Sequence, residues 1–254
     1  MDFGAFDLAA LLPFIAVGFA AQLVDGALGM AFGVISNTLL VGVMGMLPAQ
    51  ASARVHLVEC FTTAVSGINH LFHGNIDKRL FFRLLVPGVI GGVTGAYVLT
   101  SIDGEFIKPF VLLYLAGIGI YLVVKGVFYP GHQREAKYVA PLGLVGGFLD
   151  AAGGGGWGPV VTSNLLIQGA EPRKVVGTVN SVEFFLTLSI SAAFIFHLGI
   201  AEFGVATVGL LIGGVAAAPL GAIAAKRFAP KHMLILVGIV LTLTSAYGVY
   251  RAWG

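Results

Sequence analysis

The chain has 254 residues, of which 57% are hydrophobic and 10% charged, with a formal net charge of +2. Soluble domains carry about 25% charged residues, so a mean hydropathy of +0.96 places the chain among integral membrane proteins. That hydrophobicity excludes a disordered chain, the single cysteine (Cys60) excludes a disulfide scaffold, and a net charge of +2 with no basic stretch longer than two residues argues against a nucleic-acid binder.

The amino-terminal Met1–Asp7 carries Asp2 and Asp7 and no Lys or Arg, unlike the positive start of a cleavable signal. Leu8–Leu47 is apolar except for Asp25 and is too long for one straight helix. It is interrupted at Asp25-Gly26-Ala27-Leu28-Gly29. Ser52–His73 is apolar with a polar side. Leu84–Ile102 and Pro109–Val124 lack any ionised residue and approach the roughly 20 residues a crossing helix needs. Val139–Gly169 is apolar except for Asp150 and is interrupted from Asp150 through Gly153–Gly156. Lys174–Phe196 again has a polar side and overlaps the uncharged stretch Phe184–Ala201. Phe203–Ala225 and Met233–Tyr250 complete the set. The fold expected is an all-α polytopic membrane protein forming one transporter domain.

The two interrupted segments are part of an ordered duplication. Asp25 and Asp150 are 125 residues apart; Pro48 and Pro172, Glu59 and Glu183, and His73 and His197 are each 124 apart. Ile90–Val93 matches Ile212–Val215 at offset 122, and Ser36-Asn37 matches Ser163-Asn164 at 127. This sets a first repeat over about 8–128, a linker over 129–138 and a second repeat over 139–252. Lys and Arg concentrate on the cytoplasmic side. The loop Gly74–Arg83 reads as inside, Asp103–Lys108 as outside, and Lys125–Tyr138 as inside. Arg173 and Lys174 read as inside, Glu202 as outside, and Lys226, Arg227 and Lys231 as inside. The repeats are therefore expected to be inverted, each a glycine-broken hairpin, crossing or re-entrant, plus three crossings, with both termini outside. Interrupted helices in inverted repeats hold substrate near the midplane of secondary transporters.

The breaks are the first candidate site. Helices restarting after Gly26 and Gly29, and after Gly154 and Gly155, would turn N–H groups and positive dipole ends toward the centre. Ser36, Asn37, Thr38, Thr162, Ser163 and Asn164 follow as possible anion donors. Trp157 either gates this site or packs beside it. Asp25 and Asp150 either carry a proton or cap the restarted helices. A polar stripe of Ser52, His56, Glu59, Thr63, Ser66, His70 and His73, spaced by threes and fours, marks one helix face. Asn180, Glu183, Thr187 and His197 form its counterpart. Glu59 and Glu183 are candidate proton carriers, with His56 one turn from Glu59 as a possible partner. Arg54 either attracts an anion or reaches to the surface. His56 and Glu59 have metal-ligand spacing, but no second His/Cys set accompanies them, and no nucleotide motif, cofactor motif or catalytic triad stands out.

Asp25-Gly26-x-x-Gly29, the run Pro48–Glu59, Ser66-Gly67-x-Asn69-His70, Pro87–Gly91, Gly153–Pro159 and Gly177–Phe185 together resemble the TauE/SafE family of membrane permeases. The resemblance covers nearly the whole chain. It implies export of sulfite, an organosulfonate or a related small anion. One departure is that only the second repeat has a glycine run followed by proline, Gly153–Pro159. The reading reached is a secondary transporter, not an enzyme, in a bacterial inner membrane. Anion-binding candidates are Gly26, Gly29, Ser36, Asn37, Arg54, His56, Gly154, Gly155, Trp157, Ser163, Asn164 and Asn180. Proton-linkage candidates are Asp25, Glu59, Asp150 and Glu183. Its partners would be lipid, the anion and protons, with a homo-oligomer left open. An uncoupled anion channel and a membrane subunit of a larger assembly are the alternatives.

Overall fold

The computed structural model describes residues 8–28, 30–128, 137–168, 170–227 and 230–253. Every regular element among them is helical: α1 (Leu8–Leu28), α2 (Phe32–Asn37), α3 (Pro48–Phe72), α4 (Lys78–Ser101), α5 (Gly104–Val127), α6 (Val139–Gly153), α7 (Ser163–Ile167), α8 (Pro172–Leu198), α9 (Val205–Arg227) and α10 (Pro230–Trp253). A π-helical stretch, Thr38–Val43, continues α2, and another, Trp157–Thr162, precedes α7. The loop Gly74–Arg83 shrinks, because Asp77 caps α4 by accepting from the Arg79 and Leu80 N–H groups. Lys78, Arg79 and Arg83 therefore lie in the first turns of α4. The overlapping segments Lys174–Phe196 and Phe184–Ala201 are one helix, α8, since nothing between them stops it.

Polarity runs opposite to that of a water-soluble protein. Phe72, Phe196 and Tyr250 are 83%, 86% and 74% exposed, while Ser52, His56 and Ser163 are fully buried. In a bilayer the apolar surface meets lipid and the polar groups bond within the bundle. The helices of 20 to 25 residues at Lys78–Ser101, Gly104–Val127, Lys174–Leu198 and Leu234–Trp253 are long and apolar enough to cross. Helix α3 has 25 residues, enough in length, with its polar stripe turned inward.

Helices are joined through glycines. On α1 and α9, Gly209 meets Leu11 and Phe14, and Gly213 meets Ile15 and Phe19, so the two run parallel. On α4 and α6, Gly143 meets Leu84 and Gly147 meets Gly88, again parallel. Helix α3 packs antiparallel on α8: His56 lies beside Phe194, Cys60 beside Ser191 and Gly67 beside Ser181. Helix α5 packs antiparallel on α10, with Phe110 beside Trp253 and Gly119 beside Gly238.

Each broken segment has a long arm and a short one. At 1.5 Å per residue, the 21-residue α1 spans about 31 Å and the 15-residue α6 about 22 Å. The return arms, Phe32–Val43 and Trp157–Ile167, reach only about 18 and 16 Å, too little for a core of about 30 Å. The first break also falls later than the glycine pattern suggests. Asp25 and Gly26 remain within α1, which continues to Leu28.

Candidate functional site

The tips of the two hairpins meet. A β-carbon placed on Gly33 would lie 3.4 Å from Gly155 Cα and 3.2 Å from Glu59 Oε1, and Gly158 backs onto Met30. The second tip turns through Gly154 (φ +77°) and Gly155 (φ +130°), a left-handed backbone that glycine adopts without steric cost. Tyr114 of α5 holds this turn by donating its hydroxyl to the Gly155 carbonyl at 2.9 Å. On the first tip Ala31 takes a φ of +127°, a conformation a residue with a β-carbon rarely adopts.

A small polar cavity lies where the tips meet. Asp25, Glu59, Asp150 and Glu183 all line it, together with Ala31–Val34 and Gly155, Gly156, Gly158 and Pro159. The four proton-linkage candidates thus converge from four helices, α1, α3, α6 and α8. Gly26 lies in the last turn of α1, and Gly29 falls outside the described residues.

Both aspartates take up the capping arrangement. Asp25 accepts from the Phe32 N–H at 3.3 Å. Asp150 Oδ1 accepts from the Gly156 and Trp157 N–H groups at 2.8 and 2.9 Å. The positive ends of the restarted helices are therefore occupied by the protein's own carboxylates. His56 Nε2 lies 3.1 Å from Asp150 Oδ2, so its partner is Asp150 rather than Glu59. Its Nδ1 is 2.7 Å from the Ser52 carbonyl, which can only accept. The Ser52 hydroxyl gives its proton to the Ala151 carbonyl at 2.9 Å. The contact to the Ser52 carbonyl requires a proton on Nδ1.

The remaining anion-binding candidates lie around this centre. Asn37 packs on Gly154 and donates to the Gly33 carbonyl. Ser36 Oγ, Asn37 Oδ1 and Thr38 Oγ1 are buried with no hydrogen bond among the described residues. Asn164 donates to the Val160 carbonyl at 2.7 Å. Trp157 is fully buried with its ring on Gly88, and its indole N–H donates to the Val179 carbonyl. Arg54 and Asn180 are half-buried and do not line the cavity. The stripe of α3 is buried from Ser52 to Thr63, half-buried at Ser66 and His70, and exposed at His73. Lys125 lies in the last turn of α5 rather than in a loop. It is 5% exposed, with its ammonium donating to Ser163 Oγ.

The profile of the family described as Sulfite exporter TauE/SafE matches residues 14–248. The chain belongs to the TauE/SafE family. It is similar to the Probable membrane transporter protein YtnM of Bacillus subtilis (strain 168), 42% identical over 252 residues, covering 96% of this chain and 84% of that protein. A second relative, the Probable membrane transporter protein YunE of the same organism, is 29% identical over 117 residues, covering 44% and 42% of the two chains. No solved structure matches the chain at a significant level. The chain is thus an integral membrane transporter of the TauE/SafE type, and the tips where its two hairpins meet are the centre of its candidate site.

Proposed function

We propose that this TauE/SafE transporter exports a small anion, sulfite or an organosulfonate, from a bacterial cell across the inner membrane with proton coupling. The observation that carries the coupling is the convergence of Asp25, Glu59, Asp150 and Glu183 on one cavity. Like charges gathered in a low-dielectric space oppose simultaneous ionisation. Such a cluster exchanges protons as the surrounding charge changes. Asp25 and Asp150 are engaged by backbone N–H groups, which leaves Glu59 and Glu183 as the residues that load and release the proton.

The anion belongs beside this cluster, on the return arms. Ser36, Asn37 and Ser163 supply donors there, and Gly154 and Gly155 allow close approach of backbone. Asn164, Trp157, His56, Arg54 and Asn180 shape and support the two arms. The anion's identity as a sulfur oxyanion rests on the family, described as sulfite exporters.

The chain is one domain of two inverted repeats, with both termini outside. Corresponding helices support this, because α3 runs antiparallel to α8 and α5 to α10. A repeat axis along the membrane normal would make them parallel. Exchange of halves also turns the parallel pair α1–α9 into the parallel pair α6–α4. The short return arms make both hairpins re-entrant.

Proteoliposomes loaded with sulfite test the reading. An imposed pH gradient is expected to drive sulfite uphill in the wild type. Glu59→Gln is expected to retain downhill flux and lose the gradient-driven component. Downhill flux that no pH gradient can bias would instead establish an uncoupled channel.

A further inference from the structure

Lys125 has no place in the proton cluster, and a buried ammonium in a membrane bundle demands a reason. Its Nζ makes one hydrogen bond among the described residues, to Ser163 Oγ. No carboxylate of those residues lies within 4.0 Å of it. Two of its three N–H donors remain for another acceptor. The Ser163 hydroxyl, which accepts from Lys125, lies 3.7 Å from Met30 Sδ and beside the Tyr121 hydroxyl. A thioether is a weak acceptor. The Lys125 ammonium, the Ser163 hydroxyl and the buried Tyr121 hydroxyl beside it thus stand together, with two protons of the ammonium still without an acceptor among the described residues. Burying an ionised side chain without a counter-charge is costly.

We propose that Lys125 and Ser163 form an anion site at the end of α5, beside the second hairpin, in which the transported oxyanion is the missing counter-charge of Lys125. The inference rests on the anion-transport reading above. Met30 joins this site to the tips, because it touches both Ser163 and Gly158. An oxyanion held by Lys125 and Ser163 is one side chain from the acidic cluster, close enough for its charge to favour a proton there. The first repeat lacks an equivalent. Ser36 occupies the matching position on its return arm, and its hydroxyl has no hydrogen-bond partner among the described residues. The site is one-sided, on the face toward which α5 runs.

Lys125→Met keeps an unbranched side chain, one atom shorter, and removes its charge. Its half-saturation concentration for sulfite flux is expected to rise at least about thirtyfold, the loss typical of removing one partner of a buried charge pair. Its melting temperature without ligand should equal or exceed that of the wild type, since a buried charge is gone, but sulfite should no longer raise it. Ser163→Ala retains the cation and should raise the half-saturation concentration about tenfold; it serves if Lys125→Met fails to fold. Unchanged half-saturation and an unchanged sulfite-induced melting shift in these variants would overturn the site while leaving transport intact. Wild-type protein that carries none of sulfite, thiosulfate or methanesulfonate would overturn the transport reading and this site with it.

Discussion

Asp150 accepts from the Gly156 and Trp157 N–H groups and pairs with His56, all within 3.1 Å. Asp25, its counterpart in the first repeat, accepts from Phe32 N–H alone among the described residues, at 3.3 Å. The reason is local. His56 projects from the first repeat onto the second hairpin, while position 180, its counterpart at offset 124, is Asn. Unequal effects follow. Asp150→Ala orphans two N–H groups and leaves His56 without its partner, and breaking a buried pair costs about 3–5 kcal/mol. Asp25→Ala removes one long capping bond, for about 0.5–2 kcal/mol. Thermal unfolding of detergent-solubilised protein is expected to show a drop at least twice as large for Asp150→Ala as for Asp25→Ala. Equal drops would show that His56 adds nothing to the cap. At this scale the four acidic residues were legible in the sequence, because a carboxylate far from any loop is costly in a bilayer and each recurs at a near-constant offset. Lys125 was not legible as a buried group: a lysine closing an apolar stretch reads as a loop charge, and only the fold places it against Ser163. Tyr114 gave no signal either, since nothing in the sequence of α5 marks which face meets Gly155.

Between elements, the hairpins are seated by backbone approach rather than by side-chain interlock. A β-carbon on Gly91 would run into the Leu144 carbonyl, whereas one on Gly117 would meet nothing within 4 Å. Both residues sit within long crossing helices, α4 and α5, so helix propensity treats them alike. Gly91→Leu should therefore push α6 off α4 and lower the yield of monodisperse protein in detergent. Gly117→Leu should leave yield and melting temperature close to wild type. Equal behaviour of the two would mean that α4 and α6 do not depend on close contact. The sequence located the broken segments through their glycines, but not the form of the return arms. Both arms carry Ser-Asn, yet the π-helical stretch follows Ser36-Asn37 in the first and precedes Ser163-Asn164 in the second. Ridge spacing along a helix does not reveal a wider turn, and π-turns commonly accompany functional sites. The scarcity of glycine in the first break has a visible consequence as well: Ala31 takes a positive φ of the kind that Gly155 supplies in the second.

For the molecule as a whole, the arrangement of tips constrains how an anion can pass. The cavity between them is about 10 Å³, close to the least volume that holds one water. Sulfite has four heavy atoms and cannot pass through such a gap. Passage from the Lys125 side to the far side therefore requires the hairpins to part. The proposed inverted repeats provide the means, since each hairpin is held by a helix of the opposite repeat, α1 by α9 and α6 by α4. Rocking the α1–α9 unit against the α4–α6 unit would then move each tip with its own support. Tying the tips together tests this. Met30 and Gly158 lie in contact across the junction: a β-carbon on Gly158 would fall 2.8 Å from Met30 Cβ, about 1 Å short of disulfide spacing. With Cys60 replaced by serine, the Met30→Cys and Gly158→Cys pair is expected to cross-link under mild oxidation and to stop sulfite flux. A thiol reductant should restore it, and each single cysteine should transport with or without oxidant. Flux that persists through a quantitatively formed cross-link would mean that the anion travels by a route that never separates the tips. In that case the acidic cluster would be a fixed structural centre rather than the point where proton and anion are exchanged.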